Sequence, residues 1–186
     1  MAQHKHNWTY WLYNLALHSA TPALVAYLIH RLLIERKGHG AVRYWMGDLP
    51  MPSALTDGQP RLWIHAVSVG EVMAAHAIVA QLRQLLPDAW ILVTTVTDTG
   101  QATARRQMHE ANAVAFLPLD FPWAMRRALE RVQPNVVVLI EGELWPNLIH
   151  WAQLSGSRLV LANGRISDAT LSRAHAGGKA FYQCLL

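Results

Sequence analysis

The sequence predicts an α/β domain built on an open parallel sheet, and three observations predict it. After Pro60, short apolar runs alternate with longer amphipathic stretches, the pattern of strand-helix units. The composition, 186 residues with 52% apolar and 15% charged side chains, is ample for one core of ordinary size plus an appendage. Polar residues cluster just after each apolar run, where ligands bind in sheets of this kind. The strand runs are Arg61 to Val67, Trp90 to Thr97, Ala113 to Leu117, Val136 to Ile140 and Arg158 to Ala162. The helices that follow them are Gly70 to Leu86, Thr99 to Glu110, Pro122 to Val132, Pro146 to Leu154 and Asp168 to Gln183. Five strands with intervening helices make a Rossmann-like open sheet the expected architecture of residues 61–186.

The same composition excludes several classes. The chain is too short for a large two-domain enzyme and too apolar for disorder, and Cys184 is its only cysteine, so no disulfide framework holds it. A lone thiol suits a reducing, cytoplasmic compartment. The net charge of +4 favours anionic partners. Its basic residues are scattered, however, with only the short groups Arg36-Lys37, Arg105-Arg106 and Arg126-Arg127, so no nucleic-acid surface is expected and a phosphorylated or anionic lipid is.

The amino-terminal segment is of another kind. From His6 to His30 there is no Asp, Glu, Lys or Arg, and Trp8, Tyr10, Trp11 and Tyr13 crowd one end as an interfacial belt would. Such a length spans a hydrocarbon layer of about 30 Å as a helix. Asn14, His18 and Pro22 interrupt it. Residues 1–34 are therefore expected to form an apolar membrane-anchor helix, either spanning or lying in the interface, with a soluble amphipathic cap as the alternative. Arg31, Arg36, Lys37 and Arg43 follow the run and only Lys5 precedes it, an asymmetry that keeps the remainder cytoplasmic. Residues 35–60, rich in glycine and proline, read as a linker.

Three loops carry the chemistry. In Ser68-Val-Gly-Glu71, Gly70 is expected to let the chain turn tightly, and Glu71 falls at a helix N-terminus, which favours an ionised carboxylate able to accept a proton or to cap the helix. Glu141 and Glu143 end an all-apolar strand, where packing does not account for a carboxylate. In the same loop Trp145 offers a flat surface and Pro146 suits a first helical turn. Asn163-Gly164 reads as a tight turn into Arg165, whose guanidinium can hold a carboxylate or phosphate, and Ser167 can cap the next helix. The ten histidines show no metal-ligand spacing, and His65 and His150 default to packing. There is neither a dinucleotide fingerprint nor a phosphate-cradling lysine loop.

Trp63-Ile-His-Ala-Val-Ser-Val-Gly-Glu71, Ile91-Leu-Val-Thr-Thr95, Leu117-Pro-Leu-Asp120, Glu141-Gly-Glu-Leu-Trp-Pro-Asn147 and Asn163-Gly-Arg-Ile-Ser167, in that order, resemble the N-terminal half of the 3-deoxy-D-manno-octulosonic acid (Kdo) transferases. The resemblance implies a glycosyltransferase of the two-domain GT-B type on the cytoplasmic face of the bacterial inner membrane. It would transfer Kdo from CMP-Kdo, the donor substrate, to a phosphorylated lipid A precursor, with inversion and with neither metal nor other cofactor. It further implies that Glu71 is the general base, that Glu141 or Glu143 belongs to the site, and that Ser68, Gly70, Trp145, Asn147, Arg165 and Ser167 serve the acceptor. The sequence stops at Phe181-Tyr-Gln-Cys-Leu-Leu186, where the family continues into a donor-binding domain. The expectation is therefore an acceptor half that needs a donor domain, supplied by a truncated continuation or by a separate polypeptide. The alternatives are a non-catalytic, membrane-anchored lipid-binding or scaffolding protein derived from such an enzyme, and a transferase acting on another acceptor.

Overall fold

A computed structural model describes residues 8–35, 40–52, 58–142 and 144–164. These fall into two compact units, one containing residues 8–35 and the other residues 40–164.

The first unit holds two helices, α1 (Trp8–Ser19) and α2 (Thr21–Leu33), where the sequence predicts one. Their axes bend by 50° at the break. Pro22 accounts for it, since it has no N–H to give to the preceding turn and its ring crowds that turn. Ser19 and Thr21 add to the bend, their hydroxyls donating to the carbonyls of Leu15 and Leu17. Among the described residues no single helix is long and apolar enough to cross a membrane, but the bent pair together meets the length and hydropathy of a span. Trp8, Trp11, Leu12, Leu15, Tyr27, Ile29 and Leu33 are exposed along it.

The second unit is the predicted α/β domain. In chain order it contains α3 (Val42–Trp45), β1 (Arg61–His65), α4 (Val69–Leu85), β2 (Trp90–Thr95), α5 (Asp98–Gln107), β3 (Ala113–Phe116), α6 (Pro122–Val132), β4 (Val136–Ile140), α7 (Pro146–Leu154) and β5 (Arg158–Ala162). All strand pairs are parallel, and the spatial order is β3-β2-β1-β4-β5. The chain thus winds outward from β1 in one direction through β2 and β3. It then returns through α6 to β4 and winds outward in the other.

Alternation along the strands builds a core on each face. Leu62, Ile64, Ile91, Val93, Val138 and Ile140 pack with Val72, Ala75 and Val79 of α4 and with Ala104 and Met108 of α5. Trp63, Leu92, Val137 and Leu139 are buried on the opposite face, where right-handed crossovers bring α6 and α7. Such double burial is why these strands read as continuous apolar runs.

Two expectations change here. The strand run to Val67 ends instead at His65, because the Val67 N–H turns away to the Glu71 carboxylate and its carbonyl to the β2–α5 loop. The stretch predicted as a linker is, over residues 40–52, part of the domain. Tyr44 and Leu49 are buried, the Trp45 carbonyl accepts the Leu119 N–H at 3.1 Å, and Arg131 reaches both the Leu49 carbonyl and Asp48. Gly47, at φ 79°, lies so close to the Ala124 carbonyl that a Cβ there would overlap it. The helix expected at Asp168 to Gln183 lies outside the described residues.

Candidate functional site at the switch point

Strand order reverses between β1 and β4, so the crevice outside their carboxyl ends is where an open α/β sheet binds its ligands. The loops leaving these two strands are the first two singled out by sequence.

The β1–α4 loop is held from two directions. Ser68 is the N-cap residue of α4 in extended conformation, and Glu71 occupies the third helical position. Glu71 is 7% exposed, and its two oxygens accept from the Val67 N–H at 2.8 Å and the Ser68 hydroxyl at 3.1 Å. The carbonyl of Val67 in turn accepts from the Thr97 hydroxyl at 3.2 Å and the Thr97 N–H at 3.3 Å. Gly100 permits that approach, since a Cβ there would lie 2.8 Å from Thr97 Oγ1 and 3.0 Å from the Val67 carbonyl oxygen. Gly70 behaves otherwise than expected. It is a helical residue without positive φ, and the space beside it is open, so the turn is made by Ser68 and Gly70 leaves the α4 N-terminus bare.

The β4–α7 loop begins with Glu141 in the left-handed region, φ 68°, which a glutamate adopts at a cost of order 1–3 kcal/mol. Its N–H donates to the Ala162 carbonyl at 2.8 Å and its carboxylate accepts from Asn163 Nδ2 at 3.4 Å, Asn163 being itself left-handed at φ 55°. Glu141 is half-buried at the head of the crevice. Trp145 is the N-cap residue of α7 and makes no side-chain cap bond. That cap comes from Asp120, whose carboxylate accepts the N–H groups of Asn147 and Leu148 at 3.1 and 3.0 Å. Asn147, fully buried, returns its side-chain amide to the Asp120 carbonyl. Its side chain is thus committed to the fold. Glu143, Arg165 and Ser167 lie outside the described residues.

His65 joins the two loops. The last residue of β1, it is 1% exposed, and its ring meets Trp145 edge to face with centroids 5.8 Å apart. Burial lowers its pKa from 6.5 to about 4, against a smaller opposing effect of the Thr94 backbone hydrogen bond, so the imidazole is neutral at pH 7. Sequence reasoning left His65 to packing and gave Asp120 no role. The signal for the first was a titratable residue closing an otherwise apolar strand on the crevice side.

Among the described residues no group of three His, Cys, Asp or Glu is placed to hold a metal ion. A groove of about 810 Å³ exists at the other end of the sheet, lined by Arg61, Arg126, Asn135, Trp151 and Arg158. None of the chemistry-bearing loops reaches it.

The profile of the family described as 3-deoxy-D-manno-octulosonic-acid transferase (kdotransferase) matches residues 40–186. A 3-deoxy-D-manno-octulosonic acid transferase of Haemophilus influenzae is 42% identical over 118 residues, covering 63% of this chain and 27% of that protein. One from Bordetella pertussis is 39% identical over 130 residues, covering 67% and 30%. A probable mitochondrial one from Arabidopsis thaliana is 33% identical over 166 residues, covering 88% and 36%. The chain thus spans about a third of the length of these relatives or less.

Proposed function

The chain belongs to the Kdo transferase family, and from that membership we propose that it forms the acceptor-binding, base-bearing domain of an inverting GT-B glycosyltransferase. The reaction is transfer of Kdo from CMP-Kdo to a phosphorylated lipid A precursor, at the cytoplasmic face of the bacterial inner membrane. CMP-Kdo is bound by a second, donor-binding domain.

The observation that carries this reading is the Glu71 carboxylate at the switch point, fixed by Val67 and Ser68. A sugar hydroxyl is a weak nucleophile. As its oxygen bonds to the anomeric carbon and CMP leaves with the electrons of the broken bond, its proton passes to a carboxylate within hydrogen-bond reach, a contribution of about 10²–10⁴-fold. An ionised carboxylate has about four lone-pair sites, and two donors leave room for the acceptor hydroxyl. The same two donors hold Glu71 in position before the acceptor arrives. Glu141 or Glu143, in the loop that leaves the neighbouring strand, supplies the second carboxylate. Ser68, Gly70, Trp145, Arg165 and Ser167 are assigned to the acceptor. Asn147 contributes through the position of α7. The apolar faces of α1 and α2 hold the domain at the membrane where the lipid acceptor resides.

A second reading is favoured by one feature: both Glu71 oxygens are already engaged, as a purely structural helix carboxylate would be. On it the chain is a non-catalytic lipid-binding or scaffolding protein. Glu71→Gln decides between the two when assayed with a donor-binding domain, CMP-Kdo and the lipid precursor. On the transferase reading it abolishes transfer while the fold persists. Transfer at near-normal rate removes Glu71 as the base, and lipid binding indifferent to Glu71 with no transfer by the unsubstituted protein establishes the second.

A further inference from the structure

We propose that His65 is a positioning residue of this site: Thr94 sets the plane of its ring, and the ring sets the Trp145 indole where the β4–α7 loop enters α7. The inference rests on the transferase reading of that loop.

Packing does not account for a histidine here. Among the described residues its Nε2 is buried without a hydrogen-bond partner, and so is the indole Nε1 of Trp145 against which it lies. An unmet buried polar atom costs about 1–3 kcal/mol. A phenylalanine would fill the same space without leaving such a nitrogen. What imidazole supplies instead is the second nitrogen. His65 Nδ1 lies 3.0 Å from the Thr94 hydroxyl and 3.2 Å from the Thr94 carbonyl oxygen, and the same hydroxyl accepts from Trp63 Nε1 at 2.8 Å. Trp63 and His65 belong to β1 and Thr94 to β2, adjacent central strands in register at His65 and Thr94. The relay therefore originates in the buried centre of the sheet. It fixes the imidazole about its own axis, which a phenyl ring, lacking any anchor, leaves free.

The fixed ring acts in both directions. Toward β4 it presents its edge to Trp145 at an interplanar angle of 81°. Among the described residues the indole has no cap bond or hydrogen bond of its own to orient it. Toward α4 the chain continues from His65 through Ala66 to Val67, whose N–H holds Glu71. The imidazole thus lies between the two carboxylate-bearing loops, and a displacement of about 1 Å there is enough to cost up to about 10²-fold in rate.

The test pairs turnover with a signal independent of it. In the transferase assay with a donor-binding domain, His65→Phe is expected to keep or raise the thermal midpoint yet lower kcat about tenfold or more, with KM for CMP-Kdo unchanged. Thr94→Val, which removes the anchoring hydroxyl, is expected to lower kcat similarly, and the double variant no further. In the purified 186-residue chain, the Trp145 indole N–H resonance, identified by its loss in Trp145→Phe, is expected to shift in Thr94→Val, whose hydroxyl bonds to His65 and Trp63 and not to Trp145. Either His65→Phe with kcat within twofold of the parent, or an unmoved indole resonance, overturns the proposal. If the unsubstituted protein transfers nothing, the transferase reading fails, and the resonance still decides whether His65 sets Trp145.

Discussion

The carboxylate of Glu71 and the hydroxyl of Thr97 grip the same residue on its two sides: Glu71 takes the Val67 N–H and Thr97 donates to the Val67 carbonyl. The β1–α4 loop is thereby tied to the β2–α5 loop, and the proposed base is held by groups from both loops. Thr97 also caps α5, accepting the Gly100 N–H at 3.0 Å. Thr97→Val removes both bonds at nearly constant volume. It is expected to cost about 1–2 kcal/mol, from a lost N-cap and a lost, partly buried hydrogen bond, measured as a lower denaturant midpoint with unchanged m-value. An unchanged midpoint would show that the grip is slack.

Two glycines in these loops are expected to respond oppositely to alanine. At Gly100 the new Cβ meets Thr97 Oγ1 at 2.8 Å and the Val67 carbonyl at 3.0 Å, neither a free side-chain end, so Gly100→Ala destabilises by about 1–3 kcal/mol. At Gly70 the space is open and the backbone helical, so Gly70→Ala stabilises by up to about 1 kcal/mol. A loss of acceptor affinity in this stabilised variant identifies the bare α4 N-terminus as part of the acceptor site. Equal thermal shifts of the same sign would sink the contrast.

How far the sequence carried depended on the kind of information each residue holds. The buried strands β2 and β4 and the proline-started helices α6 and α7 were legible, because an apolar run or a proline at the first turn specifies its element locally. The role of Glu71 was bounded but not decided, since helix position explains a carboxylate equally as cap and as base. Asn147 looked like a ligand residue until Asp120, distant in sequence, proved to be its partner. Residues 40–52 read as linker because their glycines and prolines resemble one. Only contact with Leu119 and Arg131 reveals the stretch as part of the domain, and only the Ala124 carbonyl reveals Gly47 as a site of close approach. The one helix expected over residues 1–34 divides at Pro22 into α1 and α2, for a reason the sequence held in plain view.

Asp120 is expected to be among the costliest polar substitutions in the domain. Its carboxylate is buried and is the acceptor for the first free N–H groups of α7. Asp120→Ala leaves both without that partner and is expected to cost about 2–4 kcal/mol, from two charge-assisted bonds and their desolvation. Asp120→Asn, which can still accept, costs less. A thermal shift that is the same for both variants would remove the capping role.

His65 makes the domain's stability depend on pH in a window set by its own two pKa values. In the unfolded chain the imidazole takes up a proton near pH 6.5, whereas in the folded domain burial delays that to about pH 4. Between those values the unfolded state binds more protons, so stability is fully present above pH 6.5 and falls as the pH is lowered toward 4. A separation of this size corresponds to a loss on the order of 3 kcal/mol across the window. His150, whose pKa is also lowered by burial, adds a contribution of the same sign. Denaturant titrations at pH 7 and at pH 4.5 measure the effect directly. The difference between the two is expected to shrink in His65→Phe by most of that amount, since phenylalanine binds no proton in either state. If wild type and variant lose stability in parallel on acidification, the imidazole is not held neutral by burial.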